Sequence, residues 1–158
     1  MLVKEIIKIA SDMRPGNNFD SETVERWIDE VDAVLQLEVE LKKPSEVIRM
    51  RPPLWERGKK YFKGERVGVK LSGEWRVFVA GDDVESEISP HEDAENWTEV
   101  PYETYVGFPH DRLYYLYVIA MMDYATLEYD KYVNDVAVYN AARDEFAKWW
   151  QRTYGYKE

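Results

Sequence analysis

PHDRLYYLYVIAMMDYATLEYDKYVNDVAVYNAARDEFAKWWQRTY, residues 109–154, carries the strongest helical pattern in the chain. Leu113, Tyr117, Ala120, Met121, Tyr124 and Glu128 step by three and four, and after a polar junction Tyr132, Val136, Tyr139, Arg143, Phe146 and Trp150 continue the rhythm. That spacing predicts two amphipathic helices, near 110–129 and 131–153. The stripe mixes tyrosine with alanine and does not repeat leucine at two positions of each heptad, so a long two-stranded coiled coil fits poorly. Tyrosine suits a helix that meets a partner, because its ring buries while its hydroxyl still seeks an acceptor. The same rings could equally build an internal core.

Outward from this segment, the N-terminal third repeats the helical texture. Val3, Ile6, Ile7 and Ala10 share one face of a helix over 3–13 that stops at Pro15-Gly16. Asp20-Ser21-Glu22 offers a cap and an acidic first turn for a second helix over 20–41, with Val24, Trp27, Ile28, Val31, Val34, Leu35 and Glu38 on its inner face. Lys42-Lys43 before Pro44 signals its end. From Pro52 the spacing becomes strand-like. Residues 59–62, 66–71, 74–80 and 97–100 read as short strands around turns at Lys63-Gly64-Glu65 and Ser72-Gly73, and 81–96 reads as a polar loop. In the third strand Trp75, Val77 and Val79 alternate with Arg76 and Phe78.

The fold expected is therefore mainly α: a four-helix domain over residues 1–51 and 102–158, interrupted by a small antiparallel β module over 52–101. An insert tolerated in a helical domain leaves and returns at one site, so its two ends should lie close together.

Composition narrows the function. The 158 residues carry 31 acids against 21 lysines and arginines, a formal charge of −10. Ordinary nucleic-acid binding needs clustered basic residues, so sequence-specific DNA recognition is not expected. Cysteine is absent, which removes disulfides, thiol nucleophiles and thiolate metal sites. No apolar run approaches the ~20 residues of a membrane helix, and the acid-containing start does not read as a signal peptide. The two histidines, His91 and His110, lie in different segments, and His91-Glu92-Asp93 lacks the helical spacing that places two imidazoles on one metal. Acid pairs such as Asp82-Asp83 and Asp123 with Glu128 are expected to be solvated surface. There is no nucleophile elbow and no phosphate-cradling glycine loop. No catalytic residue, metal or cofactor is expected.

Several segments together resemble a known family. Leu113-Tyr114, Tyr117, Ala120 to Tyr124, Glu128-Tyr129, Tyr132-Val133-Asn134, Tyr139-Asn140, Phe146 and Trp149-Trp150 resemble the C-terminal part of head-to-tail connector (adaptor) proteins from tailed phages and prophages of Gram-positive bacteria. Met13 to Asn18, followed by Trp27 to Asp32, resembles that family's loop and second helix. The resemblance implies a structural virion protein, made in the host cytoplasm, that forms a cyclic homo-oligomer between the portal and the next tail-side component. DNA would pass through such a ring without sequence-specific binding, and an acidic lumen would prevent sticking. It points to Tyr114, Tyr117, Tyr129, Tyr132 and Tyr139 as subunit contacts, and to Trp149, Trp150 and Tyr154 as partner contacts.

The β module has a second resemblance. Trp55, Tyr61, Gly64, Val67, Gly73, Trp75, Pro90 and Trp97 are spaced like the framework of the small carbohydrate-binding modules of chitinases. In those modules further exposed aromatics stack on sugar rings; here only Phe78 follows Trp75 in the corresponding run. The alternative function is thus a glycan-binding or host-adhesion module, with Trp55, Tyr61, Trp75, Phe78 and Trp97 as framework or contact residues.

Overall fold

A computed structural model describes residues 1–155. It contains four α-helices, α1 (Val3–Met13), α2 (Ser21–Glu38), α3 (Arg112–Ala125) and α4 (Tyr129–Tyr154). Between α2 and α3 lie β1 (Lys60–Tyr61), β2 (Arg66–Leu71), β3 (Glu74–Ala80), β4 (Val84–Glu85) and β5 (Trp97–Val100). The protein is mainly α with a small antiparallel β module. The chain forms two compact units: a helical unit from Met1–Arg49 together with the chain from Glu103 onward, and a β unit over Met50–Tyr102.

In the helical unit, Val3, Ile6 and Ala10 of α1 are buried at the expected spacing. The Asp20 side chain caps α2 by accepting from Thr23 N–H at 2.8 Å. α2 ends at Glu38, three residues short of the expected stop, and Leu41 takes a left-handed φ of 57° just beyond it. The proline at 44 therefore comes after a stop the chain has already made.

α3 differs more from its expected pattern. Leu113, Tyr114, Leu116, Val118, Ile119, Ala120, Met122 and Asp123 are all buried, so the helix is enclosed nearly all round instead of along one stripe. It packs against α1, α2 and α4, and a helix surrounded on three sides loses its polar face. Tyr124, expected on the buried stripe, is exposed. α4 keeps the expected inner face: Tyr139, Ala142 and Phe146 are buried, and Tyr132, Val136, Arg143 and Trp150 are partly so.

α2 also fastens both ends of the gap in the helical unit. The Gln36 side chain donates to Ile48 O at 2.9 Å and accepts from Ile48 N–H at 2.9 Å. One turn earlier, Asp32 Oδ2 accepts from Tyr105 N–H at 3.2 Å. The chain segment before the insert and the segment after it are thus bonded to neighbouring residues of one helix face.

The β unit holds two sheets, one pairing β1 with β4 and one ordered β2-β3-β5, all antiparallel. β4 lies inside the stretch expected to be loop. Register places Val67 opposite Phe78 and Ala80 opposite Trp97, and these four with Tyr61 form the unit's core. Gly68 has a steric role: a Cβ there would come within 2.2 Å of the Trp75 ring, so only glycine lets that ring lie on the strand.

Candidate functional site

A charged clamp spans three helices of the helical unit. Arg14, just past α1, donates from Nε to Asp123 Oδ1 at 2.9 Å and from Nη2 to Asp123 Oδ2 at 2.7 Å. Its Nη2 also donates to Asp135 Oδ2 of α4 at 3.1 Å. One guanidinium therefore ties α1, α3 and α4. Burial pushes Asp123 up, but the hydrogen bonds from Arg14 outweigh it and hold the carboxyl below its usual range. Asp135, partly buried and facing a second carboxylate, is pushed up to about 6. Asp123 is thus a structural ion, not the solvated acid expected.

A second polar group lies deeper. Tyr114 is fully buried, and its hydroxyl donates to Asp32 Oδ1 at 2.5 Å while accepting from Val106 N–H at 3.0 Å. Desolvation raises Asp32 to about 6, against the lowering by Tyr114 and Tyr105 N–H. Tyr114 therefore corrects the expectation that it contacts another subunit: its ring and hydroxyl are both used inside the fold. Tyr139 is corrected likewise, being 8% exposed and packed on Tyr117 at 5.4 Å between ring centroids.

Apart from Tyr117 on α3, the remaining predicted contacts fall into two groups at opposite ends of α4. Near its start, Tyr129 is exposed and Tyr132 partly so, and both pack on Tyr124, at 6.3 and 5.1 Å. Leu127 and Val133 are exposed beside them in sequence. Tyr117 is partly buried on α3. Towards the end of α4, Trp149 and Trp150 are partly buried and Tyr154 is exposed; Trp150 and Tyr154 approach to 4.3 Å. His110 joins this cluster, 5.1 Å from the Trp149 ring and 5.5 Å from Phe146.

This aromatic end borders a cavity of about 310 Å³ lined by Glu40, Tyr105, Phe108, His110, Trp149 and Trp150, among others. Phe108 is 91% exposed. Glu40 is the residue the sequence reading missed. Its side chain is 2% exposed, and neither carboxylate oxygen makes a hydrogen bond. The Lys42 ammonium stands 3.7 Å away, but is bonded to Gln36 Oε1 at 3.0 Å and lies 4.1 Å from the Tyr105 ring centroid. Burial raises the Glu40 pKa above its ordinary value, with Lys42 and Tyr105 opposing.

In the β unit, Tyr61, Phe78 and Trp97 turn inward, whereas Phe62 is 54% exposed. Tyr61, Phe78 and Trp97 are 2%, 3% and 3% exposed. Phe78, the one residue available for sugar stacking after Trp75, is thus a correction: it sits in the core opposite Val67. Trp75 lies against Gly68 with the Arg51 guanidinium 4.7 Å from its ring centroid. Trp55 is partly buried, its Nε1 donating to Ser86 Oγ at 2.8 Å. Tyr61, Phe78 and Trp97 lie in the unit's core and Trp55 packs against it, whereas Trp75 lies on Gly68.

Among the described residues, no three His, Asp or Glu side chains converge to hold a metal ion, and no helix is long and apolar enough to cross a membrane. His91 accepts or donates at Ser89 Oγ, 2.6 Å away, in a short turn. Comparison with known proteins gave no matching family model, no similar curated sequence and no similar solved structure.

Proposed function

We propose that this chain is a structural subunit of a head-to-tail connector, acting through contacts and not through chemistry. The sequence resemblance supplies the connector class. The observation that supports an interfacial role is the exposed apolar group at the α3–α4 turn, Tyr124, Leu127, Tyr129 and Val133, which are 52%, 68%, 55% and 64% exposed. Apolar side chains gathered at one place on a water-facing surface favour burial against another chain. In a cyclic ring each subunit offers two different surfaces, so this turn would meet a different patch on its neighbour. Tyr117, Tyr132, Trp149, Trp150 and Tyr154 remain candidate contacts; Tyr114 and Tyr139 do not.

Ring formation is tested by sedimentation and electron microscopy of the chain alone and mixed with portal rings. Closed rings, or decoration of the portal, are expected. A chain that stays monomeric and ignores the portal would sink the reading. Glycan adhesion through the β unit has less support, since Tyr61, Phe78 and Trp97 are buried and Phe62 is the single ring of that unit more than half exposed. Retention on a polysaccharide that disappears with Trp75→Ala would revive it.

A further inference from the structure

The two ends of the α3–α4 hairpin are unlike. At one end the turn carries Leu127, with Tyr124, Tyr129 and Val133 near it in sequence, all exposed. At the other, Tyr105, Val106, Phe146, Trp149 and Trp150 line the cavity of about 310 Å³, with the exposed Phe108 on its wall. A space of this size is at the small end for a free ligand and suits a few inserted apolar side chains. From Tyr129 to Trp149 the helix rises about 30 Å, so the two ends cannot meet within one chain.

Charge gives the pairing a direction. Glu128 and Asp130 are exposed at the turn beside a single lysine, Lys131, and neither acid is ion-paired among the described residues. At the cavity end the acids have cations of their own: Lys42 for Glu40, the N-terminus for Asp111 and Arg112 for Glu145. Asp144 and Lys148 are both exposed one turn apart and offset each other, which leaves Arg152 in excess beside the aromatic cluster. Turn against turn would oppose acids, and cavity end against cavity end would oppose arginines; turn against cavity end pairs the two signs. The chain's charge of −10 acts more weakly on this choice, because exposed charges are screened beyond ~8 Å.

We infer that the α3–α4 turn of one copy seats Leu127 in the aromatic cavity of a second copy, head to tail. This deepens the interfacial reading by naming the two faces that meet, and it rests on that reading for the role of the assembly. The same contact repeats from copy to copy and closes into a ring when the rotation between neighbours allows. Taking ~200 Å² for a fully exposed large side chain, the exposed apolar groups of both faces amount to on the order of 800 Å². That is below the ~1,200 Å² of a stable pair, so one contact alone is weak. A closed ring, in which every copy makes the contact twice, holds where a dimer does not.

The chain has no cysteine, so introduced ones report the contact. Full chains carrying Leu127→Cys or Phe108→Cys, both at exposed positions, are mixed at about 1 mM and treated with a short bismaleimide. Cross-linked dimer in the mixture at least about tenfold above either variant alone is expected, and a chain with both substitutions should give a ladder of oligomers. Adding Arg152→Glu to the Phe108→Cys chain should lower the yield about threefold, and Asp130→Arg in the Leu127→Cys chain should restore it. Equal dimer yield from one variant alone would reveal a symmetric contact and overturn the inference. So would a mixture that does not cross-link, a yield unmoved by Arg152→Glu, or Phe108→Cys that joins portal protein and not another copy. Circular dichroism checks each fold, and Val133→Cys replaces Leu127→Cys if the latter does not fold. Rings that form without the mixed cross-link would defeat only this inference; the cross-link without rings or portal binding would leave the contact standing and defeat the connector role.

Discussion

The two units are held together by different physics. Inside the helical unit Asp29, Asp32, Gln36, Thr104 and Asp123 are buried with hydrogen-bond partners, although Asp29 Oδ1 and both Glu40 carboxylate oxygens are enclosed without one. The β unit buries aromatic area, and the indole N–H groups of Trp75 and Trp97 are enclosed without a hydrogen-bond partner. Those rings are placed by shape, at the cost of unmet donors. The helical unit should therefore respond to charge and pH, whereas the β unit should respond to side-chain volume. A small sheet has few residues over which to spread a lost contact.

The largest effect is expected from Trp97→Ala, which removes the ring that packs on Tyr61 at 5.3 Å. Truncation of a buried tryptophan costs ~3–5 kcal/mol, enough to unfold the β unit. The near-ultraviolet circular dichroism contributed by Trp55, Trp75 and Tyr61 should be lost while that of the helical unit and the far-ultraviolet helical signal persist. Loss of the far-ultraviolet helical signal as well would show one cooperative block and break the contrast.

Arg14→Met comes next. It leaves Asp123 buried without its cation, and because the Arg14 side chain is 25% exposed the expected loss is about 2–4 kcal/mol by denaturant titration. A loss below ~1 kcal/mol would mean that apolar packing, not the clamp, joins α1 to α3 and α4.

Asp32 sharpens the pH side. Its folded pKa of about 6 lies above the ordinary carboxylate value of 3.8, so between these values the folded state holds more protons than the unfolded one. Stability then falls as pH rises through this window, with the loss complete above about pH 6–7, and Asp135 adds in the same direction. Asp32→Asn removes the charge but keeps only one of the two acceptors, so its NH2 must face either the Tyr114 hydroxyl or the Tyr105 N–H. It should flatten the melting profile between about pH 5 and 7, whatever its effect on stability at a single pH. An unchanged profile would place the titration elsewhere.

The smallest effect on stability belongs to Tyr129→Ser combined with Val133→Ser, both exposed. Unfolding should shift by no more than ~0.5 kcal/mol for each. Assembly with copies or portal, where it occurs, should be lost. Rings that form normally would remove the α3–α4 turn from the interface.

Local signals made much of the architecture legible. The α1 limits, the Asp20 cap and strands β2, β3 and β5 follow from spacing and turn residues close at hand. β4 escaped because Val84–Glu85 is a two-residue strand among acids, with nothing alternating to mark it. The full burial of α3 was obscured because its neighbours come from both ends of the sequence. Tyr114 looked like a contact residue since its partner, Asp32, is 82 positions away. Glu40 could not be singled out locally either: the cavity it borders is otherwise lined by residues between positions 105 and 150, and a lone glutamate past a helix end ordinarily faces water.

Gln36 and Asp32 have a consequence of another kind. By gripping Ile48 and Tyr105 one turn apart, α2 works like the two jaws of a socket, holding the outgoing and incoming wires whatever is plugged between them. The helical unit then does not need its cassette to know where its own chain resumes. Shortening, enlarging or exchanging residues 50–102 should leave the four helices in register, so the β module can evolve at its own pace.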